Sequence, residues 1–465
     1  MVGGFGVRGC RRKHSIPAKC EESQIRFCGS FASPFKHEPV GWRLDTLDGH
    51  RLASRYTCQA RPCLKVASSY SFDTPKRLPA PNMLITRLRL KNWRNFKHLD
   101  VPLGSRTYII GANASGKSNL LDVFRFLRDI CRPAGGGLQK AVEDRGGLKK
   151  LRCLQARTDN EVEIFVAIAD DVDSPPIWEY TLAFKPEGKG LHRVLVTRET
   201  VSRAGKSVLN RPDKLDKSDK LRRTQTAIEQ INSNTEFREV ADFFHETTYL
   251  HLVPQLLRHT EISSRIAEGD PFGQGLLQRI AKTPQKTRDA RLRRIQQSLE
   301  KAVPQFNQLK FEQDKITGLP HLMASYQHWR THGAWQREDQ FSDGTLRLLG
   351  LLWMLQENNS LLLLEEPELS LNDAIVAHIP LMIDRVLRKQ KASGRQVIIT
   401  THSEALLSNP LDGRAIILLE PANDGTLARV ADKQELGLME AGLTPAEVLL
   451  PKTHPQGIDQ LGLFE

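Results

Sequence analysis

The stretch Gly111-Ala-Asn-Ala-Ser-Gly116-Lys117-Ser118 fits the pattern G-x-x-x-x-G-K-[ST] and stands between two segments of different character. Arg106-Thr-Tyr-Ile-Ile110 reads as a buried strand, and Asn119 to Ile130 reads as an amphipathic helix. Strand, glycine-rich turn and helix in that order commit this part of the chain to an α/β layout, with the helix N-terminus aimed at the turn. Backbone N–H groups of such a turn form a nest for phosphate; Lys117 neutralises the β and γ oxygens, and the Ser118 hydroxyl ligates Mg2+. The pattern implies a nucleoside-triphosphate binder, with ATP and Mg2+ as the expected ligands. Gly111, Asn113, Ala114, Ser115, Gly116, Lys117, Ser118 and Asn119 make up the expected binding segment. An ordinary glycine-rich turn is the competing reading, and the flanking strand and helix weigh against it.

Three later segments narrow the chemistry. Leu361-Leu-Leu-Leu364 followed by Glu365-Glu366-Pro367 reads as a buried strand delivering two acids, one toward Mg2+ and one toward an attacking water. Glu366 is the expected catalytic base and Glu365 the expected metal-side acid. Phe341-Ser342-Asp343-Gly344-Thr345 precedes an apolar helical run, Leu346 to Leu355, so Ser342 and the N–H groups at Gly344 can present a second anion site. Val397-Ile-Ile-Thr-Thr401 reads as a further strand with His402-Ser403 at its tip, where the imidazole can sense a γ-phosphate. Taken singly, each has a plain alternative: a solvated pair of acids, an ordinary helix cap, a structural histidine. Their order along the chain is what joins them.

In that order the segments resemble the ABC-type P-loop ATPases of the SMC and RecF kind, and most nearly the stand-alone bacterial AAA-family ATPases related to the OLD group. The resemblance runs from Met83 to about Pro421. It rests on the opening Leu84 to Phe96, on GANASGKSNLLD, on FSDGTLRLL as a divergent signature, on LLLLEEPELSL as the Walker B segment and D-loop, and on ITTHS as a histidine switch. It implies an ABC/RecF-like head with a mixed sheet, and ATP sandwiched between two such heads. Lys117 and Ser118 of one subunit would then face Ser342 and Gly344 of the other, His402 would hold the γ-phosphate, and Ser370 to Asn372 would couple the two sites. The chain departs from the usual pattern with Glu365 in place of Asp, and with Asp343 and Thr345 in the signature. The Q-loop has no secure place; Gln139 is available but nothing near it supports the role.

Residues 160–202 carry alternating segments, Val162–Val166, Trp178–Phe184 and Val194–Val201, that predict an antiparallel meander. From about 218 to 303 the pattern turns helical, without the sustained heptads of a long coiled-coil arm. The expected partition is a basic extension (1–82), the first part of the head (83–150), the meander and helical insertion (151–335), the second part of the head (336–421) and a C-terminal tail (422–465). Arg94 and Phe96 are weak candidates for base or ribose contact. Lys286, Arg288, Arg291, Arg293 and Arg294 could track phosphates, and a solvated helix face is the better reading.

Net charge adds little to this. The chain carries +13, but residues 1–82 hold fourteen Lys and Arg against six Asp and Glu, a net +8, leaving +5 for the rest. A charge that mild argues only weakly for nucleic acid. Residues 1–82 lack periodic apolar faces and contain five of the seven cysteines, at spacings that match no zinc module. The expected account of them is an upstream start assigned to the gene, with an organelle-targeting leader or a DNA-binding tail as alternatives. No apolar run reaches membrane-spanning length, and a soluble, cytoplasmic protein is expected. The functional expectation is an ATPase that acts on DNA in repair or antiviral defence, as a homodimer closed through ATP, with a separate nuclease or other effector as a possible partner. The alternative is a slow ATP-dependent switch or scaffold controlling a protein effector. An ABC transporter subunit fits less well.

Overall fold

The computed structural model describes residues 83–157, 159–188, 193–258, 270, 272–327, 334–357, 360–389 and 395–453. The readings for residues 1–82 lie outside them. Fifteen strands are described: β1 (Leu84–Trp93), β2 (Phe96–Pro102), β3 (Arg106–Gly111), β4 (Val162–Ala169), β5 (Trp178–Pro186), β6 (Val194–Arg203), β7 (Lys206–Arg211), β8 (Thr248–Leu250), β9 (Phe306–Gln313), β10 (Pro320–Tyr326), β11 (Ala334–Arg337), β12 (Leu361–Glu365), β13 (Gln396–Thr400), β14 (Ile416–Ala422) and β15 (Gly425–Val430).

The central sheet runs β15-β14-β3-β13-β12-β8, parallel from β14 through β8, with β15 turned antiparallel at one end. The centres of its middle strands, Tyr108–Ile110, Leu361–Leu364 and Val397–Ile399, are apolar because both faces are covered. Successive side chains alternate between two cores: Leu361 and Leu363 enter one, Leu362 and Leu364 the other. Ile398, Ile417 and Leu419 share the first; Val397, Ile399, Ile416 and Leu418 share the second.

The first core is closed by the P-loop helix Lys117–Ile130 and by an antiparallel sheet of order β2-β1-β4-β5-β6-β7. Phe126 of the helix meets Trp93 edge-on at 5.1 Å between centroids and stacks on Phe184 at 5.6 Å. The second core holds the signature helix Asp343–Leu355, the helix Gln285–Ala302 and a small sheet of order β11-β10-β9. Together these layers make an α/β P-loop NTPase head with a mixed central sheet.

Several boundaries differ from the expected ones. The predicted meander continues the sheet begun by β1 and β2 and gains β7 as a fourth strand. The region 218–303, predicted helical, contains β8, a three-residue strand paired to β12 and too short to show periodicity. The boundary at 421/422 falls inside the β14–β15 hairpin, and 433–440 and 445–449 are helices. In the helix Gln285–Ala302, Leu292, Ile295 and Leu299 are buried, while Arg288 lies over Phe311 and Arg291 over Trp353. Two of the five basic residues there thus cover aromatic rings. No helix among the described residues is long and apolar enough to cross a membrane.

Candidate nucleotide site

The strands β3, β13, β12 and β8 end at one edge of the central sheet, where a doubly covered α/β sheet presents its loops. Register sets the neighbours: Glu365 lies opposite Thr400, and Thr400 opposite Ile109. The loop after Gly111, the acids Glu365-Glu366 and the turn Thr401-His402 therefore emerge side by side.

Gly116 sits at φ 103°, and a Cβ there would lie 2.1 Å from Asn95 Nδ2, so the position admits only glycine. That asparagine is part of a brace. Asn95 Nδ2 donates to the Ser115 carbonyl at 2.8 Å and to Thr426 Oγ1 at 2.6 Å, and Thr426 Oγ1 donates to the same carbonyl at 2.9 Å. The Asn119 amide donates to Asn95 Oδ1 at 2.8 Å. The side chain of Asn119, a residue of the expected binding segment, braces the loop. Ser115 Oγ is buried under the turn, 2.6 Å from where a Cβ on Gly111 would stand, and has no hydrogen-bond partner among the described residues. Asn113 and Ala114 are exposed at the loop tip, Ala114 with φ 63°.

Lys117 is buried and folds back on its own loop, its Nζ donating to the carbonyls of Gly111 at 2.9 Å and Ala112 at 3.3 Å. Burial pushes its ammonium pKa down, opposed by the nearby carboxylates of Glu366, Glu368 and Glu365. Ser118 Oγ donates to Glu365 Oε1 at 2.5 Å, and the Tyr249 hydroxyl donates to Glu365 Oε2 at 2.5 Å. Burial first, then Glu365, raises the Tyr249 phenol well above its ordinary range. Ser118 and Glu365 thus place two hard oxygen donors in contact, a set that suits Mg2+. Among the described residues no cluster of three His, Cys, Asp or Glu could hold a metal ion. An ion here would complete its shell with phosphate and water oxygens.

Glu366 has φ 42°, left-handed for a non-glycine residue, with its N–H donating to the Thr400 carbonyl at 3.0 Å. Its Oε1 is 3.4 Å from His402 Nδ1, and the imidazole is half-exposed. Glu368, which the sequence reading passed over, is buried behind this pair. Its Oε1 accepts from Thr401 Oγ1 at 2.6 Å and from the His402 N–H at 3.2 Å, so it orders the turn that carries the imidazole. Burial raises its carboxyl pKa. The run Glu-Glu-Pro-Glu was the available signal, a third acid in a strand-end turn.

Ser342 caps the signature helix, its Oγ accepting from Thr345 N at 3.2 Å, and a Cβ on Gly344 would lie 2.7 Å from the Ser370 carbonyl. Among the described residues neither hydrogen-bonds to the P-loop of its own chain. Gln139 is bound to the carbonyls of Val194 and Thr224, which removes it from Q-loop candidacy. Gln255 is better placed: it follows β8, the strand beside β12, and its amide donates to Asp343 at 2.9 Å. Phe96 is fully buried and Arg94 is paired to Asp122 at 2.6 Å, so neither is free for base contact.

A family model described as "AAA domain, putative AbiEii toxin, Type IV TA system" matches residues 106–408, well over half of the chain and spanning the P-loop, the signature, the acidic strand end and the histidine turn. The chain belongs to this AAA-domain family. It is thereby a P-loop ATPase domain of the AAA type. Solved structures similar to this AAA domain include an SMC head bound to the C-winged-helix domain of ScpA, at 17% identity and TM-score 0.46, covering 76% of this chain and 99% of that one. Another is the Smc head with an extended coiled coil bound to the C-terminal domain of ScpA from Pyrococcus furiosus, at 15% identity and TM-score 0.44, covering 77% and 99%. The SMC head of Thermotoga maritima is similar at 14% identity and TM-score 0.38, covering 75% and 99%. No curated protein matches the chain.

Proposed function

We propose that this AAA domain hydrolyses ATP to ADP and phosphate, as one half of an ATP-closed homodimer whose cycle acts on DNA. The observation that carries the reading is the convergence of Lys117, Ser118, Glu365, Glu366 and His402 at one sheet edge. A bound Mg2+, held by Ser118 and Glu365, would supply charge neutralisation at the β and γ oxygens. Lys117 exchanges its own loop carbonyls for phosphate oxygens. Glu366 takes a proton from the attacking water, and His402, positioned by Glu368, donates to the γ-phosphate. Gln255 is placed to report γ-phosphate occupancy to Asp343 and the signature helix. Ser342 and Gly344 would complete the site on a second copy. The toxin and toxin–antitoxin wording of the family description fits a role in antiviral defence with a separate effector, a nuclease among the candidates, in the cytoplasm.

ATP turnover by the full chain, with and without duplex and single-stranded DNA, tests this directly. Glu366→Gln is expected to lower kcat by about 100- to 1,000-fold while nucleotide still binds, since the amide cannot accept the proton of the attacking water. DNA stimulation that falls steeply with salt supports the DNA-linked reading. Slow turnover indifferent to DNA would replace it with the switch reading, in which ATP occupancy controls a protein effector. Unchanged turnover in Glu366→Gln would sink the assignment of the base.

A further inference from the structure

The carboxylate on the metal side is Glu365, one methylene longer than the aspartate usual at this place. A longer acid has an extra rotatable bond and, left alone, a less defined reach toward an ion. In this chain both of its oxygens are held. Ser118 Oγ, from the start of the P-loop helix, lies 2.5 Å from Oε1; the Tyr249 hydroxyl, from the opposite side, lies 2.5 Å from Oε2.

The fold explains how the tyrosine reaches. Tyr249 pairs with Leu363 across the parallel β8–β12 ladder, two residues before Glu365, so both side chains lie on the same face of the sheet. The ring is fixed there by the Arg125 guanidinium of the P-loop helix, 4.3 Å from its centroid, and by the first core, in which Tyr249 is buried. A ring pinned between helix and sheet can aim its hydroxyl in one direction only, along the strand to the acid at its end.

We propose that Tyr249 is a positioning residue for Glu365, fixing one carboxylate oxygen so that the other is presented to Mg2+ beside Ser118. An outer donor of this kind sets the orientation and basicity of a ligating group without touching the ion. The longer acid and the tyrosine form a matched pair: aspartate at 365 would draw back from the phenol and leave it without an acceptor. The inference rests on the ATPase reading above.

The test is binding of a fluorescent ATP analogue to the full chain as Mg2+ is titrated, alongside binding in EDTA. Tyr249→Phe keeps the ring under Arg125 and removes only the hydroxyl. It is expected to raise the Mg2+ concentration at half-maximal binding about tenfold while binding in EDTA stays unchanged. In a Glu365→Asp background the same substitution is expected to add little, because the phenol has already lost its acceptor. An unshifted Mg2+ midpoint, an equal loss in EDTA, or a full tenfold shift repeated in the aspartate background would each overturn the role of Tyr249. If the parent chain does not bind the analogue at all, with Mg2+ or in EDTA, the ATPase reading fails first, and that result is distinct from the other three.

Discussion

Glu368 shows how one residue can matter to the site without facing a nucleotide. Its carboxyl is buried behind the Glu366–His402 pair, accepts from Thr401 and from the His402 backbone on one oxygen, and leaves Oε2 without a partner among the described residues. Burial, the larger effect, raises its pKa above the ordinary 4.5, and the two hydrogen bonds oppose that shift. A carboxyl whose folded pKa exceeds its unfolded pKa holds its proton more tightly when folded. Its stabilising contribution is therefore complete below 4.5 and is lost as pH rises through the folded pKa. Glutamine keeps the acceptor oxygen and cannot ionise. Glu368→Gln is expected to gain stability relative to the parent as pH rises above 4.5 and to match it more closely below, which urea midpoints at a series of pH values would show. A difference independent of pH would mean that the carboxyl titrates alike in the folded and unfolded chain, and that burial does not raise its pKa.

Among the elements, the P-loop is the one whose support comes from furthest away. Asn95 lies in the β1–β2 turn and Thr426 in the β14–β15 hairpin, 331 residues apart, yet they bond to each other and to the same Ser115 carbonyl. Losing either hydroxyl or amide leaves the carbonyl one donor; losing both leaves it none. Asn95→Ala with Thr426→Val is thus expected to cost about 1–3 kcal/mol beyond the sum of the single substitutions. Denaturant midpoints for the four proteins of that cycle measure it, and weaker binding of the ATP analogue in the double variant should accompany it. This brace was not legible beforehand, because sequence shows an asparagine and a threonine but not that a hairpin returns one to the other. The Leu361–Leu364 run was legible as a strand because two cores demand apolar side chains on both faces. The Ser342 cap was legible from a local rule. The strand β8 was not, since three residues carry no period, and with it went the routes to Tyr249 and Gln255. Side-chain direction within the binding motif was not legible either: the Asn119 amide and the Ser115 hydroxyl turn inward.

At the scale of the whole molecule, the arrangement of the signature argues for a second chain. Within one chain the Ser342 hydroxyl is bonded to Thr345, and Gly344 packs against the turn after Glu368 so closely that a Cβ there would lie 2.7 Å from the Ser370 carbonyl. The N-terminal end of that helix forms no hydrogen bond to the P-loop of its own chain among the described residues. A helix N-terminus with an exposed Ser342 suits an anion brought by another copy, on which Lys117 and Ser118 would hold the nucleotide. Association should then require ATP and should accumulate when hydrolysis is blocked. Light scattering of Glu366→Gln is expected to give a monomer without nucleotide and a dimer with ATP and Mg2+. Ser342→Arg, which places a bulky cation at the interface and leaves the P-loop untouched, should bind the ATP analogue as the parent does yet remain monomeric. A dimer that persists in Ser342→Arg would place the contact elsewhere on the head. A Glu366→Gln protein that stays monomeric at saturating ATP would remove the need for a second copy, and turnover would have to be completed within one chain.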